Sequence, residues 1–197
     1  MKNHLIILST LLALSSCVIN LQIGGIHDGY SVLNEEQQSK VFQTEDFSNL
    51  QAGNVYELTG INLKRELRKR DTSVVEIFVN GCSGENCYPM QSYANYQEET
   101  GKDVFLIMCD YFRFDYTMNQ EPEIPLFSIN TEYYQENKQK KYRRLFLTDL
   151  LGLDEVKNVE PFVGRVLVFK GDSLIAVKKN IFEPDVESDK LNFDNKL

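Results

Sequence analysis

The chain has 197 residues, a net charge of −8 and a hydrophobic fraction of 42%. This acidic balance argues against nucleic acid as a partner, because phosphate backbones attract basic surfaces. About 150 residues follow residue 45, which is enough for one domain with a hydrophobic core.

The N-terminus has the pattern of an export signal. Lys2 and His4 flank the start of an apolar run from Leu5 to Leu14, and two serines follow it. The run is too short to span a membrane. Residues 1–16 are therefore predicted to be a signal peptide.

The end of this segment, Leu14-Ser15-Ser16-Cys17, resembles the bacterial lipobox. The resemblance implies that Cys17 is lipidated, becomes the mature N-terminus and anchors the protein in the cell envelope. The alternative is an ordinary signal followed by a chance cysteine. Residues 18–20 contain no aspartate, which by resemblance to lipoprotein sorting signals favours the outer membrane, facing the periplasm.

Three regions are predicted after the signal. Residues 17–45 mix Gly, Ser, Gln and Asn with scattered apolar positions, which indicates a flexible tether with room for one short strand. Residues 46–181 carry the periodic patterns of a folded domain, and residues 182–197 form a polar tail.

Strand and helix patterns alternate within the domain. They predict strands at 54–58, 72–80, 103–112, 124–130, 165–169 and 173–180. They predict helices at 61–71, 87–100 and 137–151, and a loop at 113–123. Helical crossovers imply parallel strands, whereas Gly171-Asp172 between the last two strands indicates a hairpin. The sequence therefore predicts an α/β domain with a central mixed sheet, flanking helices and a C-terminal hairpin.

Cys82 and Cys87 directly follow the buried strand at 72–80. A loop between a strand and a helix leaves a thiolate accessible, and the dipole at the start of the helix stabilises it. With Asn86 as the predicted N-cap of the helix at 87–100, a redox pair is the favoured interpretation. A passive disulfide is the second interpretation, although so short a loop gains only about 2 kcal/mol. A metal site is the third, but His27 is the only histidine that follows the signal.

The order of elements resembles the thioredoxin fold, and two stretches of residues support the resemblance. Glu76 stands six positions before Cys82, where thioredoxins carry a buried carboxylate. The stretch VLVFKGDSLIAV is similar to the family's terminal strand and turn. The resemblance covers roughly residues 50–181 and implies a thioredoxin-like fold.

The resemblance also implies roles for three residues. Cys82 would attack, Cys87 would resolve the mixed disulfide, and Glu76 would shuttle the proton of the resolving thiol. Alternatively, the longer loop reverses the roles of the two cysteines, with Glu85 raising the pKa of whichever thiol it neighbours. A glutamate that merely faces a lysine or water is the alternative for Glu76.

The sequence departs from the family in three ways. Four residues separate the cysteines instead of two, and the chain has no tryptophan. The position of the family's substrate-clamping cis-proline is occupied by Gly164, and the nearest proline, Pro161, lies three positions upstream. Pro161, Val163 and Gly164 are the expected substrate contacts, unless this clamp is missing.

The remaining chemistry is limited. Cys109, in FLIMCDY, is predicted to be a buried free cysteine rather than a third redox partner. A peroxidase is disfavoured because peroxiredoxins place a threonine and a proline before the reactive cysteine, and FVNGC has neither. No cofactor or metal is expected.

The function implied by the resemblance is thiol–disulfide exchange by an envelope-anchored protein. Its partners would be exported cysteine-containing proteins or a redox partner, with the membrane engaged through lipid on Cys17. The alternative is a non-enzymatic binding module of the envelope, with a structural Cys82–Cys87 disulfide.

Overall fold

The computed structural model describes residues 27–82, 84 and 87–184. The predicted signal peptide, Cys17, Glu85, Asn86 and the tail beyond residue 184 lie outside these residues. The described chain forms one sheet of seven strands with helices on both faces. The strands are β1 (Val41–Gln43), β2 (Val55–Leu58), β3 (Thr72–Phe78), β4 (Asp103–Met108), β5 (Leu126–Ile129), β6 (Val166–Lys170) and β7 (Ser173–Lys178).

The helices connect these strands. They are α1 (Glu35–Gln38), α2 (Gly60–Leu67), α3 (Met90–Thr100), α4 (Phe114–Met118), α5 (Thr131–Tyr134) and α6 (Gln139–Leu151). Two 3₁₀ segments, Tyr30–Val32 and Val156–Phe162, complete the described elements.

The sheet is mixed, with spatial order β1-β2-β5-β4-β3-β6-β7. The pairings from β1 through to β3 are parallel. The pairings of β6 with β3 and with β7 are antiparallel. The predicted α/β architecture with a mixed sheet and a C-terminal hairpin is therefore confirmed.

Each face of the sheet carries its own apolar core. On one face, α2 and α6 bury side chains spaced by four residues, namely Leu63, Leu67, Tyr142, Phe146 and Leu150. On the other face, α3 and α4 bury Met90, Tyr93, Tyr96 and Phe114. Because strand side chains alternate, Val75 points to the first face, and Val74 points to the second.

Helix ends agree with the sequence at two glycines and disagree at one start. α3 and α6 end at Gly101 and Gly152, which have φ angles of 68° and 69°. The predicted start of α3 at residue 87 is wrong, because the helix begins at Met90 with Pro89 as N-cap. A residue that precedes proline is disfavoured in the helical region, so Tyr88 cannot readily extend the helix towards Cys87.

Two regions with weak sequence patterns are folded. Residues 113–123, predicted to be a loop, contain α4. Residues 27–45, predicted to be part of the tether, contribute β1 at the sheet edge and bury Leu33 in the core of α3 and α4. The backbone N–H of Tyr111 also donates a hydrogen bond of 2.6 Å to the carbonyl of Asp28.

The chain after β7 folds back onto α3. Ile181 is fully buried in the second core. The ring of Phe182 packs on Tyr88 and Tyr96, with centroids 4.4 Å and 5.9 Å apart. This segment therefore covers the side of α3 next to the cysteine loop.

Candidate functional site

The cysteine loop lies at the carboxyl end of the central strand β3. Cys82 and Cys87 form a disulfide with a Cα–Cα distance of 5.6 Å. The backbone N–H of Cys87 donates to the carbonyl of Gly84 at 3.0 Å. The N–H of Gly84 lies 3.1 Å from the sulfur of Cys87. Cys82 is exposed and Cys87 is half-buried, so an incoming group reaches Cys82 more easily.

A cleft of about 340 Å³ opens beside the disulfide. It lies between the end of β3, the start of α3 and the turn that precedes β6. Its lining includes Glu76, Cys82, Cys87, Tyr88, Tyr93 and Gly164. The predicted redox pair and the predicted proton carrier therefore share one cleft.

Glu76 is a half-buried carboxyl group in this cleft. It points to the face of the sheet that α3 covers, where the Tyr93 hydroxyl donates to its Oε1 at 3.2 Å. Its Oε2 is enclosed and has no hydrogen-bond partner among the described residues. Burial raises the pKa of Glu76 from 4.5 to about 7, against the opposing effect of the Tyr93 hydrogen bond. At neutral pH the group can therefore both donate and accept a proton.

The three expected substrate contacts, Pro161, Val163 and Gly164, lie in different surroundings. Gly164 lines the cleft and has a φ angle of 71°. Val163 packs against the core beneath α2 and α6. Pro161 is exposed within Val156–Phe162, and no peptide bond among the described residues is cis. The structure therefore brings only Gly164 to the disulfide.

Sequence reasoning missed several residues that hold the cysteine loop. Asn80 is buried, donates to the carbonyl of Asp110 at 2.7 Å and accepts from the Thr117 hydroxyl at 2.6 Å. Arg113 donates to the carbonyl of Gly81 at 3.2 Å. No sequence pattern marks these contacts, because their partners lie about thirty positions apart or more.

Cys109 stands apart from this cleft, at the end of β4. It is buried and free, as predicted. Its sulfur donates to the Asp110 carboxylate at 3.3 Å and accepts from the Gln139 amide at 3.1 Å. Burial and the adjacent carboxylate raise the pKa of the Cys109 thiol, which disfavours the nucleophilic thiolate.

Within residues 27–82, 84 and 87–184, no helix has the length and apolar character needed to cross a membrane. Among the same residues, no three His, Cys, Asp and Glu side chains are grouped so that they could hold a metal ion.

The fold and the site define an α/β protein with a disulfide in a cleft beside a carboxyl group of raised pKa. Comparison with models of known protein families, with curated proteins and with solved structures returns no match.

Proposed function

We propose that this protein is a thioredoxin-like lipoprotein that exchanges disulfides with exported proteins through Cys82 and Cys87. The observation that carries the proposal is the disulfide at the end of β3, which shares a cleft with Glu76. Lipid on Cys17 would hold the domain at the envelope, where disulfides persist.

The arrangement of elements supports a thioredoxin-like fold. The cysteine loop connects the central strand β3 to helix α3, which leads into the parallel neighbour β4. On its other side, β3 pairs with the antiparallel hairpin of β6 and β7. This is the order that the resemblance implies.

The exposure of Cys82 supports its role as the sulfur that meets the client. In the oxidised state, a client thiolate attacks the sulfur of Cys82, a client–Cys82 disulfide forms, and Cys87 leaves as a thiolate. A second client thiolate then attacks the client sulfur, which forms the client disulfide and releases the thiolate of Cys82. Two electrons have moved from the client to the pair, and a second dithiol–disulfide protein takes them away. The same steps in reverse reduce a client disulfide.

The raised pKa of Glu76 supports a role in proton transfer. A leaving thiolate at Cys87 needs a proton, and a carboxyl group that titrates near neutral pH is matched to this task. Glu76 would regain a proton from water that enters the cleft. Its Oε1 accepts the hydrogen bond from Tyr93, and its Oε2 is enclosed with no hydrogen-bond partner among the described residues.

The direct test is disulfide exchange by the full chain carrying Cys17→Ser, which prevents lipidation. We expect this chain to have a measurable equilibrium with glutathione and to accelerate insulin reduction by dithiothreitol. Cys82→Ser should abolish the acceleration, and Cys87→Ser should trap mixed disulfides on Cys82. A disulfide that resists dithiothreitol, or turnover that survives Cys82→Ser, would contradict the proposal.

The anchoring part of the proposal has a separate test. The mature chain should begin at Cys17 and weigh more than residues 17–197 by several acyl chains. Cys17→Ser should release the protein into the soluble fraction. A mature chain with an unmodified Cys17 would contradict the anchor and leave the redox chemistry standing.

A second candidate is a non-enzymatic binding module of the envelope. It is favoured by the position of Pro161 outside the cleft and by the two extra residues between the cysteines. In that case the disulfide would be a passive brace, and the Cys82→Ser/Cys87→Ser chain would keep its partner in affinity capture from envelope extracts. Loss of that partner on removal of the cysteines would favour the redox function.

A further inference from the structure

Residues 110–120 approach the cysteine loop from both of its ends. Before the disulfide, Asn80 is held by the Asp110 carbonyl and by the Thr117 hydroxyl. After the disulfide, the first N–H of helix α3, at Met90, donates to the side chain of Gln120 at 3.1 Å. The segment thus fixes the chain just upstream and just downstream of the two cysteines.

Arg113 contacts the residue that directly precedes Cys82. Its Nη1 donates to the carbonyl of Gly81, the residue that precedes Cys82 in the chain. Gly81 has a φ angle of 66°, and a Cβ at this position would collide with the Cδ of Arg113. The arginine side chain therefore lies directly against the backbone of the cysteine loop.

The backbone at Arg113 is unusual. Its φ angle is 55°, in the left-handed region that residues other than glycine seldom adopt. The conformation places Arg113 at the N-cap of α4, and the Tyr116 N–H donates to the Arg113 carbonyl at 3.0 Å. The surrounding hydrogen bonds hold this residue in a conformation that directs its side chain to Gly81.

We infer that Arg113 is a positioning residue for the redox pair, and that its guanidinium stabilises the thiolate of Cys82. A guanidinium keeps its charge at every relevant pH, and a cation near a thiol favours the thiolate. When the client–Cys82 disulfide is resolved, negative charge appears on Cys82, the residue that follows the carbonyl that Arg113 binds. This inference rests on the proposed function, because it concerns the same cysteine pair.

Other charged groups face the same loop and act in different directions. Glu76 lines the cleft on the β3 side, and its carboxylate opposes a second negative charge. Lys179 lines the cleft from the segment after β7 and favours a thiolate. Tyr93 and Tyr88, from α3 and the stretch before it, also line the cleft. Arg113 differs from all of these because it is bonded to the loop itself.

The test measures the pKa of Cys82 in the full chain carrying Cys17→Ser and Cys87→Ser, which has no disulfide to reduce. Thiolate absorbance and the rate of alkylation are followed against pH, and a matched Cys82→Ser chain gives the background from Cys109. In this chain, Arg113→Gln should raise the pKa of Cys82 and slow alkylation at neutral pH by about three-fold, the effect of one exposed charge pair. Arg113→Lys, which keeps the charge, should remain close to the parent.

Two further measurements make the outcome decisive. Added salt should raise the pKa of Cys82 in the parent chain, and should raise it less in Arg113→Gln, because one of the screened cations is then missing and Lys179 remains. The salt effect in the parent does not depend on how well any variant folds. Thr117→Val, which loosens the segment without changing its charge, should leave the salt effect in place. A Cys82 pKa that ignores both salt and Arg113→Gln would overturn the inference, as would an equal loss in Arg113→Lys.

The result is separable from that of the proposed function. If the parent disulfide resists reduction, the exchange proposal fails, although the thiolate measurement in the Cys87→Ser chain still decides the role of Arg113. If the parent exchanges disulfides and Arg113→Gln changes nothing, only the inference about Arg113 fails.

Discussion

The hydroxyl of Tyr93, on helix α3, donates a hydrogen bond of 3.2 Å to the carboxyl of Glu76, on strand β3. This bond connects the helix that follows the disulfide to the strand that precedes it. Burial raises the pKa of Glu76 to about 7, and the phenol limits the rise by stabilising the carboxylate. Both effects can be measured.

Glu76→Gln should change how stability depends on pH. Glu76 binds its proton more tightly in the folded state, since its pKa rises from 4.5 to about 7, so its contribution is fully present below pH 4.5 and is lost as the pH rises through 7. The variant lacks this loss, so its stability relative to the parent should rise by at most about 3 kcal/mol between about pH 4 and about pH 8. Urea denaturation of the oxidised proteins across this range measures the difference.

Glu57 and Asp110 also have pKa values raised by burial, and they contribute equally to both proteins. The informative quantity is therefore the difference between variant and parent. A difference that stays constant from about pH 4 to about pH 8 would show that Glu76 has an ordinary pKa.

Tyr93→Phe should raise the pKa of Glu76 further, because it removes the donor that stabilises the carboxylate. The side-chain carboxyl carbon of Glu76, followed by NMR against pH, reports the pKa directly. Tyr88→Phe is the matched control, since it removes a phenol from the same cleft and leaves the Tyr93 bond in place. The same pKa in both variants would contradict the assigned hydrogen bond.

Removal of the disulfide should cost little stability. A loop of this length gains about 2 kcal/mol from closure, and each face of the sheet already carries a large apolar core. The Cys82→Ser/Cys87→Ser chain should therefore remain folded, with a lower midpoint in guanidinium denaturation. Complete unfolding of this variant would indicate a structural brace and would weaken the redox proposal.

Thr117→Val should destabilise the fold by about 1–3 kcal/mol, because it leaves the buried Asn80 amide oxygen without its donor. Urea denaturation measures the loss. Thr148→Val is the control. Thr148 is half-exposed, and its hydroxyl donates to the carbonyl of Arg144 within the same helix. Equal effects of the two substitutions would contradict a special role for the Asn80 contact.

Gly60→Ala should destabilise the contact between α2 and α6 by about 1–3 kcal/mol. An added Cβ would lie 2.7 Å from the backbone nitrogen of Leu150 and would crowd the carbonyl of Phe146. Alanine ordinarily favours a helix over glycine, so the sign of the effect is diagnostic. Thermal denaturation checks it, and Gly101→Ala, whose added Cβ meets no neighbour, shows the separate cost of a positive φ. A Gly60→Ala chain as stable as the parent would contradict the packing described.

The fold was predictable where local patterns decide it. Short apolar runs bounded by turn residues marked β2 to β7, and Gly101 and Gly152 marked two helix ends. α4 was missed because its five residues show no helical period, and the burial of Phe114 and Thr117 depends on tertiary contacts. The pattern of the sequence predicts that α3 starts at residue 87, but the helix starts at Met90. Pro89 disfavours the helical conformation at Tyr88, and the pattern of apolar residues does not register this.

The two cysteines and Glu76 were predictable as site residues, because Glu76 stands six positions before Cys82 on the strand that leads to the cysteine loop. The role of Tyr93 was not predictable. Its bond to Glu76 depends on how α3 crosses β3, which local periodicity does not specify. Similarly, Gly164 rather than Pro161 reaches the cleft because the 3₁₀ segment Val156–Phe162 carries the proline away from it.

The aromatic contact between Tyr88 and Phe182 has a practical consequence. Tyr88 adjoins Cys87, and its ring meets that of Phe182 nearly edge to face, with centroids 4.4 Å apart. Ring currents make the resonances of such a pair sensitive to small rotations. A fluorine label on Phe182 would therefore report the opening and closing of the disulfide from a distance, without touching either sulfur.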